Sequence, residues 1–141
     1  MKTLMILALA AAITTSSAAR DRYFSDAQRH RSVNLAQVSQ RYLESLRSEN
    51  EGVVRSALAH VTWMKLMVPE QSFGPLQAEI TSLASSGSSP EIRYMASLAG
   101  LVFSRPSMFA GVEKKDFESG DDMFASVAQR VSFSLLEKGS N

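Results

Sequence analysis

The sequence predicts an all-α domain of about five helices behind an N-terminal signal peptide, and three observations lead there. Apolar residues recur at spacings of three and four through most of the chain after residue 33. Helix punctuation falls where that periodicity needs it, with Gly74-Pro75 and Ser89-Pro90-Glu91 as starts and Pro69 and Pro106 as stops. No segment shows period-two alternation bounded by hairpin turns.

The first element is an address. Met1-Lys2 is followed by an apolar run from Leu4 to Ile13 and by the small residues Thr14 to Ala19, the three-part layout of a secretory signal. Cleavage after Ala19 fits best, because Ser17 and Ala19 then supply the small side chains a signal peptidase requires. A membrane-spanning anchor needs about 20 predominantly apolar residues, and this core offers about half that. Residues 20–32 follow as a basic leader, poorly ordered or partly helical, in which Arg20, Arg22, Arg29 and Arg31 lie near Tyr23 and Phe24. The alternative is a basic arm against an anionic surface, and Asp21 and Asp26 weaken its field.

A single helical domain is expected over 33–139. The first helix runs from Val33 to about Arg47 with Leu35, Val38, Tyr42 and Leu46 on one face. The second starts near Glu51 and runs to Val68, with Val54, Ala57, Leu58, Val61 and Lys65 on one stripe and an acid in the first turn that suits the helix dipole. Gly74-Pro75 opens the third, which shows Leu76, Ile80, Leu83 and Ala84 and takes Gly87 as its C-terminal cap. Ser89 caps the fourth, lined by Ile92, Met95, Ala96, Ala99 and Phe103 and ended by Arg105-Pro106. Residues 106–120 read as a loop with room for one helical turn. Asp121 then caps a last helix whose stripe is Phe124, Val127, Ala128, Val131 and Leu135.

A shift of 38 residues places Val54-Arg55 on Ile92-Arg93, Ala57 on Met95, Val61 on Ala99 and Trp63 on Leu101. Two helix-turn-helix units of this length, over roughly residues 34 to 105, resemble HEAT-like helical repeats. The elements that carry the resemblance are Glu51-Gly52-Val53-Val54-Arg55 and Pro90-Glu91-Ile92-Arg93, each followed by small and apolar positions. It implies two α-hairpins in an α-α superhelix and, as function, the binding of another protein. The other architecture open to these residues is an irregular helical bundle.

Charge and composition exclude several functions. Removing Lys2 with the signal leaves 14 of the 15 basic residues against 14 acidic ones, so nucleic acid is not an expected partner. Without cysteine there is no disulfide staple and no thiol nucleophile, and stability has to come from a packed core. The lack of cysteine and of any Asn-x-Ser/Thr sequon suits a bacterial periplasm or culture medium better than eukaryotic secretion. No integral membrane segment is expected in the mature chain.

No catalytic, cofactor or metal site is expected either. His30 sits between Arg29 and Arg31, and His60 has no second histidine or carboxylate three or four residues away. The run Ser85 to Ser89 lacks a nucleophile elbow and reads as loop and cap. Glu44, Glu49 and Glu51 read as solvated acids at helix ends rather than as a catalytic pair. Glycines are spread singly, so no phosphate-cradling loop forms.

One pattern stays open. Opposite the main stripes, Ser56, His60, Trp63 and Met67 on the second helix match Tyr94, Leu98 and Leu101 on the fourth. Helices apolar on two sides are usually sandwiched between neighbours, which makes the stripe core; exposed, the residues Trp63, Met67, Tyr94, Leu98 and Leu101 would form a protein-contact patch with aromatic anchors. The expected function is therefore an exported, non-enzymatic helical module that binds another protein. The alternatives are a self-associating structural component of the cell envelope and an enzyme of unrecognised type.

Overall fold

The computed structural model describes residues 35–112 and 117–139. The expected signal peptide over 1–19, the leader over 20–32 and the first turn at Val33 lie outside the described residues. Five α-helices are present: α1 (Leu35–Leu46), α2 (Glu51–Met67), α3 (Gly74–Ser86), α4 (Pro90–Ser104) and α5 (Gly120–Gly139). A 3-10 turn, Pro106–Phe109, occupies the loop before α5, and no strand occurs among the described residues.

Local chemistry sets the boundaries. The Asn50 side chain accepts from the backbone N–H groups of Gly52 and Val53 and starts α2. Ser89 does the same for α4, taking the Ile92 N–H at 3.3 Å, and Pro90 fills the first helical position without wasting a donor. The start of α5 differs from the expectation. Ser119, not Asp121, caps it, with its hydroxyl accepting the Asp122 N–H at 3.1 Å and its carbonyl the Met123 N–H at 3.2 Å. Asp122 in turn accepts the Glu118 N–H at 3.3 Å, which satisfies a backbone donor just before the cap.

Gly87 closes α3 as expected, with its N–H on the Leu83 carbonyl at 2.9 Å, but for a different reason. Its φ is −56°, so no left-handed conformation is involved. What demands glycine is space. A Cβ here would sit 2.7 Å from the Leu83 carbonyl oxygen and 2.8 Å from Ile92 Cγ2, where the start of α4 turns against the end of α3.

The helices form layers. α1 packs on α2 and α3, α3 packs most extensively on α4, and α2 packs on α4. α5 lies over α2 and α4, and the 3-10 turn fills the corner among α2, α4 and α5. α2 and α4 therefore have neighbours on two sides, and that position accounts for their double apolar stripes. One continuous core results, running from Leu43 and Leu46 through Leu58, Val61, Leu76, Ile80 and Ile92 to Phe109, Phe117, Met123 and Val127.

Lys65 stands on the buried stripe of α2 and is only 7% exposed. Its ammonium is satisfied there. It donates to the carbonyls of Pro69 at 2.6 Å and Gln71 at 2.8 Å, so the charge ties the loop after α2 to the helix it leaves. Phe73, at the end of that loop, packs its ring 6.2 Å from that of Phe103 on α4.

The stripe of α5 holds only in part. Phe124 and Val127 are buried and Ala128 and Val131 pack against the core, but Leu135 is 65% exposed. A helix of 20 residues is about 30 Å long and outruns the two helices beneath it.

Candidate functional site

The five residues of the open stripe do not form one surface. Trp63 is 7% exposed and Leu98 6%, and both belong to the continuous core. Met67 and Leu101 are half-buried against it, and only Tyr94, near the N-terminal end of α4, is exposed. The cover explains this. Phe109 from the 3-10 turn, Phe117 from the following loop, and Met123, Phe124 and Val127 from α5 enter the same core as Trp63 and Leu98. A contact patch built on all five side chains is thereby corrected, because its two central members have no surface to offer.

The polar side chains weighed for chemistry have structural work. His60 holds its Nδ1 2.8 Å from the Ser56 carbonyl, which makes Nδ1 the protonated nitrogen when it donates, and its ring stacks on Tyr42 at 6.0 Å and 22°. Burial raises the Tyr42 phenol above its ordinary pKa. Glu51 accepts from the Ser88 hydroxyl at 2.6 Å, which joins the start of α2 to the turn before α4. Within that serine run, Ser85 and Ser86 donate to Thr81 and Ser82 carbonyls one turn back. Thr62, fully buried, donates to the Leu58 carbonyl at 2.7 Å.

Sequence reasoning missed two places. The first is a junction of helix N-termini. Arg55 on α2 reaches Glu91 on α4 at 3.0 Å and Asp121 on α5 at 3.1 Å, beside a cleft of about 220 Å³ floored by Ala59 and Met95. Only the repeat-like position of Arg55 was visible in sequence. Its partners stand 36 and 66 residues away, so no local pattern announces them.

The second place is apolar. The last turns of α5 expose Phe133 at 50%, Leu135 at 65% and Leu136 at 70%. Nearby, a groove of about 350 Å³ opens between the C-terminal ends of α2 and α4 and the 3-10 turn, walled by Leu66, Pro69, Val102, Pro106 and Phe109. Both features meet the same support, since Arg130 Nε donates to the Met108 carbonyl at 2.9 Å and the Ser134 hydroxyl lies 3.3 Å from the Met108 sulfur. The signal that could have found the first of them was available: Phe133 and Leu136 fall off the stripe of α5, on the side away from Phe124 and Val127.

Among the described residues no three His, Asp or Glu side chains gather to hold a metal ion, and no helix is long and apolar enough to cross a membrane. No protein-family model matches this chain, and neither does any curated protein or solved structure.

Proposed function

We propose that this chain is an exported, non-enzymatic helical module whose function is to bind a protein, and that the last turns of α5 make the contact. The observation that carries this reading is the exposure of Phe133, Leu135 and Leu136 within four residues of one helix. Single exposed apolar residues are ordinary on a protein surface, whereas Phe133 and Leu136, three positions apart on one face of α5 and both exposed, make an adjacent pair of the kind that marks a contact site, with Leu135 exposed on the stripe side of the same turns. Export rests on the three-part layout of residues 1–19. The reading as a module without catalysis is supported by the bonds that occupy His60, Glu51 and the serines of 85–89.

The HEAT-like arrangement belongs to this proposal. It is supported by the side-by-side packing of equivalent helices, α1 on α3 and α2 on α4. The two repeat-like arginines have diverged, with Arg55 on carboxylates and Arg93 on the Gly87 carbonyl at 2.8 Å. α5 crosses both α2 and α4 and acts as a lateral cover for the two hairpins.

The test is a pull-down from the native exported fraction with wild type and with Leu136→Asp. That substitution changes an exposed position and should leave helical circular dichroism and melting unaltered. Partners held by the wild type and lost by the variant are the expected result. Partners retained in full by Leu136→Asp would move the contact elsewhere on the molecule.

A further inference from the structure

We draw no further inference here: the strongest candidate, the apolar groove between the C-terminal ends of α2 and α4 and the 3-10 turn, with the exposed end of α5 near it, carries nothing beyond the contact reading already proposed, because nothing in the structure shows what covers it.

Discussion

The middle of α2 and α4 and the last turns of α5 carry large apolar residues at comparable density, yet one region is core and the other is solvent. Trp63 and Leu98 lie at 7% and 6% exposure, whereas Leu135 and Leu136 lie at 65% and 70%. The difference is in what covers them. α2 and α4 have α1 and α3 toward one side and α5 with the 3-10 turn toward the other, while Leu135 lies where α5 extends past the helices it covers and Leu136 lies on the face of α5 turned away from them. Amphipathic spacing says which side chains want company, and only the third layer decides which of them find it. In this molecule the third layer is a single helix, so its own far end is the part left bare.

The largest effect should come from breaking the covered region. Trp63→Ala should cost about 3 to 5 kcal/mol and Leu98→Ala about 2 to 5 kcal/mol, enough to unfold a domain of ordinary stability. Thermal and urea melts followed by circular dichroism measure this. A melt unchanged in both variants would mean that the cover over α2 and α4 contributes little. At the other end of the comparison, Leu135→Asp and Leu136→Asp should stay within about 0.5 kcal/mol of wild type, because they expose nothing and bury nothing in the monomer.

Next in size is Gly87→Ala. Two contacts below 3 Å, one of them to a backbone oxygen, force the end of α3 away from the start of α4, which should cost about 1 to 3 kcal/mol. α3 and α4 share the most extensive contact in the fold, so the loss should appear as a lower melting temperature of the whole domain rather than as local fraying. An unshifted melt would show that the turn relaxes freely. A comparable loss is expected for Lys65→Met, about 1 to 3 kcal/mol, because the carbonyls of Pro69 and Gln71 lose their shared donor. Its signature should be local, with faster hydrogen exchange in 69–73.

Much of the fold was legible because it is locally written. Asn50, Ser89-Pro90 and the prolines at 69 and 106 act within one turn of themselves, and the five helices follow from them and from the period of three and four. Boundaries failed where two local signals competed. At the start of α5, Ser119 and Asp121 are both good caps, and the Ser119 hydroxyl takes the Asp122 N–H while the Asp122 carboxylate takes that of Glu118. The position of α2 between neighbours favoured a buried Trp63, but the residues that form the layer over α2 and α4 were not legible, since they lie more than 40 positions further along the chain than Trp63. At the exposed end of α5 only Leu135 was hidden, for the converse reason: it continues the stripe faultlessly, and nothing in its spacing says that the body beneath has ended, whereas Phe133 and Leu136 lie visibly off the stripe.

The smallest expected effect sharpens the comparison at its hinge, where α5 is fastened. Arg55 joins the start of α4 to the start of α5 through Glu91 and Asp121, whose side chains are 55% and 74% exposed. Ion pairs this wet contribute about 0 to 1 kcal/mol and weaken with salt, so Arg55→Gln should lower stability by no more than that and by less as ionic strength rises. What distinguishes this site from a surface decoration is where the loss should appear. α5 is held at its start by Arg55 and the core side chains from Met123 to Val127, and further along by Arg130 and Ser134 on Met108. Removing the first fastening should speed hydrogen exchange at the start of α5, around 120–124, and leave α3 and the 3-10 turn as they were. If exchange rises equally in α3, Arg55 supports the domain at large. A rise confined to the start of α5 would mark it as the seam along which the covering layer parts from the two hairpins.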